Sequence, residues 1–180
     1  MSDGLLLHRA IIDTPLGDML ALDSGRGLCA LEFDSRARHD RLDARFRRWF
    51  PPHDVVDDET ATLRRTREWL SAYFDGAGAD AAAIPLDMRG APFELRVWAA
   101  LREIPPGGVS TYGAIARQLG SIAASRAVGA ANGANPVGII VPCHRVIGSS
   151  GDLTGYGGGL HRKQWLLNHE QRWRAQRALF

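Results

Sequence analysis

Short apolar runs separated by turn residues fill the first part of the chain. The apolar runs cover residues 5–12, 19–22 and 28–33, and residues 15–17 and 24–27 between them contain Pro, Gly and Ser. Apolar segments of this length with glycine and proline between them are typical of β-strands joined by tight turns. The pattern predicts a small antiparallel sheet.

Helical spacing of apolar residues follows this predicted sheet. Residues 36–50 and 59–74 carry apolar side chains every three or four positions, which predicts two amphipathic helices. The next segment, residues 80–91, is made of small residues and has little pattern. We therefore place a domain boundary near Gly90.

The second half of the chain is patterned as four helices. The spacing predicts a helix from Pro92 to about Ile104, two short helices over residues 112–119 and 126–131, and a last helix over residues 162–175. The two short helices are joined by a tight turn at residues 121–124, so they form a helix-turn-helix candidate. Small residues dominate the second of them, which favours close approach of its backbone to a partner over base reading by side chains. That partner is either a shallow minor groove or a tightly packed neighbouring helix.

These elements predict an α/β protein of the α+β type with two domains. Residues 1–90 would form a small antiparallel sheet with helices, and residues 91–180 a mostly helical domain with a helix-turn-helix. The first domain holds 12 Arg against 16 Asp or Glu, a net charge of −4, and the second holds 10 Arg or Lys against 4 acids, a net charge of +6. A basic second domain suggests a polyanionic partner.

Composition narrows the setting in which the protein works. No apolar run approaches the roughly 18 residues that a membrane span needs, and the start of the chain does not resemble a signal peptide. The two cysteines, Cys29 and Cys143, are too few for a disulfide framework. We therefore expect a reducing, cytoplasmic location and no membrane partner, with Cys29 buried in the core of its strand.

The segment Val141–Val146 carries the strongest chemical signal. The apolar run over residues 136–141 predicts a buried strand that ends at Pro142, so that Cys143 would emerge at the strand end beside His144. A thiol becomes a nucleophile as the thiolate, and a neighbouring imidazole and guanidinium favour that form. A buried structural cysteine remains an alternative on these residues alone. A metal site does not fit, because the chain has no Cys-x-x-Cys spacing.

A glycine-rich loop over residues 153–159 follows the cysteine segment. It lacks the ending Gly-Lys-Ser/Thr of a phosphate-binding loop and does not match G-x-G-x-x-G, which excludes a nucleoside triphosphate site of that kind. Tyr156 is its only large residue. We interpret the loop as a mobile wall over a pocket.

Taken in order, these motifs resemble the O6-alkylguanine-DNA alkyltransferases, also called methylated-DNA–protein-cysteine methyltransferases. The resemblance covers residues 91–171 and rests on five segments: Tyr112–Ala116, Arg126–Gly129, Asn135–Pro136, Pro142–Val146 and Glu170. It implies a DNA repair protein that moves an alkyl group from O6 of guanine irreversibly to its own cysteine, once per molecule.

The resemblance also implies a role for individual residues. Cys143 would attack the alkyl carbon, His144 would take the thiol proton through a water molecule, and Glu170 would orient the imidazole. Tyr112 would give a proton to the departing guanine. The target nucleotide would be flipped out of the duplex, with Arg126 filling the gap that it leaves.

Further residues follow from the same resemblance. Asn135 matches an asparagine at the turn before the active-site segment and completes the catalytic set. The expected DNA-binding residues are Arg126, Tyr112, Ser125, Ala127, Gly129 and Ala130. The expected substrate-pocket residues are Val146, Tyr156, Gly157, Gly158 and Trp98.

The implied partner is double-stranded DNA containing O6-alkylguanine, bound through its minor groove by a monomer. No cofactor and no metal are expected, since two cysteines cannot reproduce the zinc site of some relatives. Gly157 and Gly138 stand where some relatives carry Ser and Pro, so the tolerated alkyl size and activity on O4-alkylthymine stay open. Two other functions remain to be tested: a helix-turn-helix lesion sensor with an incidental cysteine, and a cysteine hydrolase.

Overall fold

The computed structural model describes residues 4–77 and 80–177. The chain divides into two compact units, Met1–Gly90 and Ala91–Phe180. Each unit has its own secondary structure, and together they give an α+β fold, as the sequence predicts. No helix within the described ranges is both long enough and apolar enough to span a bilayer.

The first unit is built on a four-stranded sheet in the order β3-β2-β1-β4. Its strands are β1 (Leu5–Ile12), β2 (Met19–Asp23), β3 (Leu28–Phe33) and β4 (His53–Asp57). The antiparallel pairs β1–β2 and β2–β3 are the predicted ones. β4 lies parallel to β1 and was not predicted, because a five-residue edge strand with charged ends carries little hydrophobic pattern. The sheet is therefore mixed.

Two helices accompany this sheet, α1 (Arg36–Trp49) and α2 (Ala61–Phe74), close to the predicted bounds. The apolar face of α1 packs against one face of the sheet. The buried residues of this cluster are Leu7, Leu20, Leu22, Cys29, Ala30, Leu42, Phe46 and Phe50. Cys29 belongs to this core, as expected, and burial raises the pKa of its thiol far above the ordinary value.

The second unit is mostly helical. Its helices are α3 (Pro92–Arg102), α4 (Tyr112–Gln118), α5 (Ser125–Gly133) and α6 (Leu160–Arg177). A short parallel pair, β5 (Ser110–Thr111) and β6 (Val146–Ile147), joins the start of α4 to the segment after Cys143. A single 3₁₀ turn at residues 122–124 separates α4 from α5 and completes the helix-turn-helix.

The predicted strand over residues 136–141 is wrong. This segment is a series of turns, in which Ile139 adopts a left-handed backbone conformation with φ of 66°. The side chain of Asn135 organises the turns, because its Oδ1 accepts from the Val137 amide (3.0 Å) and its Nδ2 donates to the Val141 carbonyl (2.8 Å). The apolar side chains of the run are buried, as predicted, but the run forms no strand beyond an isolated bridge at Val137.

Candidate active site

Cys143 begins a 3₁₀ turn that ends at Arg145, and not a strand end. Its backbone amide donates to the Val141 carbonyl (2.8 Å), and its own carbonyl accepts from Asn132 Nδ2 on α5 (3.4 Å). The residue is 8% exposed. The residue is thus buried, and its backbone is fixed from both sides.

His144 and Glu170 form a fully buried pair beside Cys143. His144 Nε2 lies 2.8 Å from Glu170 Oε1, and neither side chain is exposed. Burial lowers the pKa of His144 below its ordinary value, against the opposing effect of the carboxylate. The imidazole is therefore neutral at pH 7, and the bond to an acceptor-only carboxylate places its proton on Nε2.

The second ring nitrogen of His144 follows from this tautomer. Nδ1 carries the lone pair and has no hydrogen-bond partner among the residues that the structure describes. An imidazole held by a carboxylate through one nitrogen and free at the other is suited to act as a general base.

Glu170 is held ionised by several donors. Arg145 binds it through two guanidinium bonds, Nε to Oε2 and Nη2 to Oε1, each 2.8 Å, and the Gly107 amide donates to Oε2 (3.1 Å). Burial alone would raise the pKa of Glu170, but the bonds from His144 and Arg145 outweigh it and hold the pKa well below the usual range. The Arg145 guanidinium also donates to the Ile104 carbonyl. It therefore acts as the anchor of Glu170.

Lys163, on α6, is a second buried cation at the site. Its side chain has no exposed area, and Nζ donates to the carbonyls of Val146 (2.5 Å) and Thr154 (2.8 Å). Burial lowers the pKa of Lys163, and the negative charge of a Cys143 thiolate opposes that shift. The ammonium and the thiolate therefore stabilise one another.

Tyr112, the first residue of α4, lies between α5 and the glycine-rich loop. Its hydroxyl donates to the Thr154 carbonyl (3.2 Å). Its ring faces Gly129, where an added Cβ would come within 3.7 Å of the ring carbon Cδ1. That distance is ordinary van der Waals contact, so the Tyr112 ring packs directly against the surface of α5 at Gly129.

The outer face of α5 is exposed and, apart from Arg126, made of small residues. Arg126, Ala127 and Ala130 are exposed, whereas Ser125 and Gly129 are partly buried. The Ser125 hydroxyl donates to the Ile122 carbonyl (2.7 Å), which ties the start of α5 to the preceding turn. The helix thus presents one arginine on a smooth surface.

The expected pocket residues differ in their burial. Val146 and Gly158 are buried, Tyr156 is partly buried and Gly157 is exposed. The Gly158 carbonyl accepts from Arg162 (2.9 Å), which fixes the end of the loop to α6. Trp98 on α3 is 2% exposed, and its indole donates to the Ala131 carbonyl (2.8 Å) on α5.

Sequence reasoning missed three contributors: Lys163 as a site residue, Arg145 as the partner of Glu170, and Asn132 beside Cys143. The sequence did contain a signal for Lys163. Lys163, Leu166 and Glu170 recur at helical spacing on the buried face of α6, and two charged residues on such a face need partners. The only lysine of the chain also stands out among its many arginines.

Comparison with known proteins gives matches for both units. Residues 7–88 match the model described as "6-O-methylguanine DNA methyltransferase, ribonuclease-like domain", and residues 92–172 match the model of the "DNA binding domain" of the same protein. These two ranges cover most of the chain.

Individual relatives agree with these models. A methylated-DNA–protein-cysteine methyltransferase of Mycobacterium bovis is 42% identical over 166 residues, covering 92% of this chain and 93% of its own. One from Mycolicibacterium paratuberculosis is 59% identical over 105 residues, which are 58% of this chain and 63% of that protein. The aligned part thus spans less than two thirds of the second relative.

Solved structures show the same similarity. The crystal structure of Mycobacterium tuberculosis OGT in complex with DNA has a TM-score of 0.76 and 39% identity, covering 93% of this chain and 94% of that one. An O6-methylguanine-DNA methyltransferase from Pyrococcus kodakaraensis has a TM-score of 0.66 and 29% identity, covering 91% and 98%. The fold and the site define a helix-turn-helix protein with a cysteine beside a buried histidine–glutamate pair. The chain belongs to the 6-O-methylguanine DNA methyltransferase family.

Proposed function

We propose that this protein repairs DNA by transferring the alkyl group of O6-alkylguanine to the sulfur of its own Cys143. The observation that carries the proposal is the buried His144–Glu170 pair next to Cys143, in which one imidazole nitrogen is left without a partner among the described residues. In the reaction the Cys143 Sγ–carbon bond forms and the carbon–O6 bond breaks. The released guanine takes up a proton.

The thiol proton leaves toward His144. Nδ1 accepts it through a water molecule, and the resulting imidazolium is stabilised by the ionised Glu170. The buried ammonium of Lys163 stabilises the thiolate that remains, because a Cys143 thiolate and this ammonium attract one another. The base and the two fixed charges together favour the nucleophilic form of the sulfur.

Tyr112 is the proposed proton donor to the departing guanine. Its hydroxyl already donates to the Thr154 carbonyl at the edge of the glycine-rich loop. A guanine between this loop and Cys143 can take over as the acceptor. Asn135 acts on the backbone by holding the turns that lead to Cys143. It is a positioning residue.

The helix-turn-helix is the proposed DNA interface. The small exposed residues Ala127 and Ala130 let α5 approach a minor groove closely, and Arg126 is placed to enter the base stack when the damaged nucleotide is flipped out. Ser125 and Gly129 complete this surface. The net charge of +6 on residues 91–180 suits contact with phosphates, and the M. tuberculosis neighbour has been crystallised in complex with DNA.

The remaining assignments belong to the same proposal. Residues 91–180 form the DNA-binding and alkyl-acceptor domain, and residues 1–90 form the sheet-and-helix domain. Val146, Tyr156, Gly157, Gly158 and Trp98 surround the substrate pocket. The transfer needs only the alkylated base and a thiolate, so no cofactor or metal is proposed. A monomer in the cytoplasm is sufficient, and the stable thioether product limits each molecule to one turnover.

Transfer of a labelled methyl group tests the proposal. Duplex DNA containing O6-methylguanine with tritium in its methyl group is incubated separately with the wild-type protein, with Cys143→Ser and with Cys29→Ser. We expect the label on the wild type and on Cys29→Ser, because the Cys29 thiol is buried and its pKa is raised. Cys143→Ser is expected to take none. Persistent labelling of Cys143→Ser, or repeated turnover without a protein adduct, would contradict the proposal.

A further inference from the structure

The four-stranded sheet of the first unit has one covered edge and one open edge. At the β3 edge, the Leu28 amide donates to the Pro85 carbonyl (2.8 Å) and the Leu28 carbonyl accepts from the Asp87 amide (3.0 Å), so a later segment covers this strand. β4 is the other edge, and β1 is its one strand neighbour among the residues that the structure describes. An open edge can bind a further strand through backbone hydrogen bonds.

The backbone of β4 offers such bonds at alternate residues. β4 runs parallel to β1, and the pairing is bounded by the bonds from the Leu5 amide to the Pro52 carbonyl (3.2 Å) and from the Asp58 amide to the Arg9 carbonyl (3.4 Å). The evenly spaced bonds of a parallel pair use every second residue of the strand, so the even-numbered residues of β4 face β1. Val55 therefore points its N–H and C=O away from the sheet.

An apolar groove lies on the sheet face to which the Val55 side chain points. The groove has a volume of about 580 Å³ and is bounded by β1, β2, β4 and α1. It is lined by the buried Leu7 and Leu42 and by Ile11 and Val55, which are each 45% exposed. Side chains of a strand alternate between two faces, so a strand added beside β4 would direct every second side chain to the face that carries the groove.

The open edge is acidic. Residues 53–59 hold four acidic residues and no Lys or Arg. Asp57 is paired with Arg9 through two guanidinium bonds, whereas Asp54 is exposed and alternates with Val55, so its carboxylate lies on the face opposite the groove. Two copies of the chain joined through β4 would bring like charges together, which is unfavourable between paired strands. The charge instead suits a basic strand.

We infer that the β4 edge and the adjoining groove form a docking site for an extended segment of a partner protein, in which apolar residues alternate with Lys or Arg. The segment adds a fifth strand, antiparallel to β4. Its apolar residues pair their backbone with Val55 and place their side chains at the groove, and its basic side chains lie beside Asp54. The site is separate from the chemistry at Cys143 and gives the first unit a function of its own.

Synthetic peptides test the inference on the full-length protein. The probe alternates Val and Lys over about eight residues, within the usual length of a strand, and has blocked ends. In the inferred pairing the amides of its Val residues bond to β4 and those of its Lys residues face solvent. N-methylation of the Val amides should therefore weaken binding about tenfold or more, the value of one or more lost hydrogen bonds. N-methylation of the Lys amides should leave the affinity within twofold.

Hydrogen exchange locates the bound peptide. Binding should slow exchange of the outward Val55 amide and leave that of Val56, which already faces β1, unchanged. Asp54→Asn should weaken binding about threefold, as for an exposed ion pair. Asp40→Asn, at an exposed carboxylate of α1 that does not line the groove, is the control for loss of one charge and should bind as the wild type does.

Three results would overturn the inference. The first is no binding of the probe up to about 1 mM, a limit that leaves little favourable free energy for a specific complex. The second is equal affinity of the two N-methylated peptides, which would assign binding to charge alone. The third is dimerisation of the protein that itself protects the Val55 amide, which would assign the edge to a second copy. All three are read on the wild-type protein, so they do not depend on whether a variant folds.

Discussion

Tyr112 and Lys163 donate hydrogen bonds to the same acceptor. The carbonyl oxygen of Thr154 lies 3.2 Å from the Tyr112 hydroxyl and 2.8 Å from the Lys163 ammonium. This oxygen connects the first residue of α4, the glycine-rich loop and α6. In the proposed reaction Tyr112 turns to the departing guanine. Lys163 would then keep the carbonyl paired, so that the loop is not left with an unsatisfied group.

Replacing Lys163 should therefore loosen the loop and slow the reaction together. In Lys163→Met the carbonyls of Val146 and Thr154 lose their charged donor, and the Cys143 thiolate loses a neighbouring positive charge. We expect the single-turnover rate to fall by about tenfold or more, the value of a charge-assisted hydrogen bond. Amide hydrogen exchange over residues 153–159 should become faster.

Arg172→Met serves as the control for this change. Arg172 is an exposed cation of the same helix, and its Nε donates to the carbonyl of Asn168 one turn earlier. Its replacement should leave the rate and the loop exchange unchanged. Wild-type exchange over the loop in Lys163→Met would show that the lysine does not anchor it.

Removing the charge of Glu170 should affect both stability and transfer. Glu170→Gln leaves the buried Arg145 guanidinium without a counter-charge and weakens the hold on the His144 ring. We expect the free energy of unfolding to fall by about 3 kcal/mol, as for other broken buried pairs. The transfer rate should fall as well, by about 100-fold, within the range that general-base catalysis contributes. Urea denaturation and single-turnover kinetics measure the two effects.

Glu103→Gln is the matched control. Glu103 is exposed and bonded to Gln118 at the surface, so its replacement should change neither quantity appreciably. A Glu170→Gln protein with wild-type stability and wild-type transfer would argue against the role of the buried pair.

As the pH is lowered, the transfer rate should begin to fall only below the ordinary pKa of histidine. Burial lowers the pKa of His144, so the imidazole remains a neutral base as the pH falls through 6.5. We expect the single-turnover rate to hold through this value and to decline at lower pH. A rate that halves above pH 6.5 would contradict a buried, neutral His144.

The free energy of unfolding should also decrease as the pH is lowered. The pKa values of His144 and Glu170 are both lower in the folded protein than in the unfolded chain, so the unfolded chain binds protons more readily. The stability from His144 is present above pH 6.5 and is lost below it, and that from Glu170 begins to be lost below about pH 4.3. Urea midpoints measured across this range should fall toward acid, and less steeply in Glu170→Gln at the lower end.

Arg126 should matter for duplex DNA and not for a free base. Arg126→Ala removes the side chain proposed to fill the gap in the base stack. An unfilled gap leaves the unstacking energy of a few kcal/mol uncompensated. Transfer from duplex O6-methylguanine should therefore fall about tenfold or more. Reaction with free O6-benzylguanine, which needs no flipping, should stay within twofold. Arg102→Ala, at an exposed arginine on α3, controls for the loss of one positive charge. Equal losses on both substrates in Arg126→Ala would contradict the assignment.

Much of this molecule could be predicted from the sequence, for identifiable reasons. The helices carry apolar side chains at regular spacing, and the three antiparallel strands are bounded by Pro and Gly, so local pattern determined both. The segment over residues 136–141 was mispredicted because its apolar residues are buried through turns. The side chain of Asn135 and the left-handed backbone of Ile139 produce those turns, and neither leaves a periodic signal.

Cys143 and His144 could be predicted as site residues because they lie in one short sequence motif. Glu170 came from the family resemblance, since a single glutamate in a helix is usually at the surface. The contacts of Lys163 with Val146 and Thr154, and of Asn132 with Cys143, join residues that are distant along the chain. Such contacts depend on the packing of α5 and α6 around the cysteine turn, which spacing alone does not define.

Peptide mapping by mass spectrometry after one reaction tests the central role of Cys143 most directly. The wild-type protein is incubated with excess duplex O6-methylguanine, digested, and each cysteine peptide is quantified. We predict one methyl group per protein molecule, all of it on the peptide containing Cys143, with the Cys29 peptide unmodified. A methyl group on another residue, or tight binding of the damaged duplex with unmodified Cys143, would contradict the assignment of this cysteine as the acceptor.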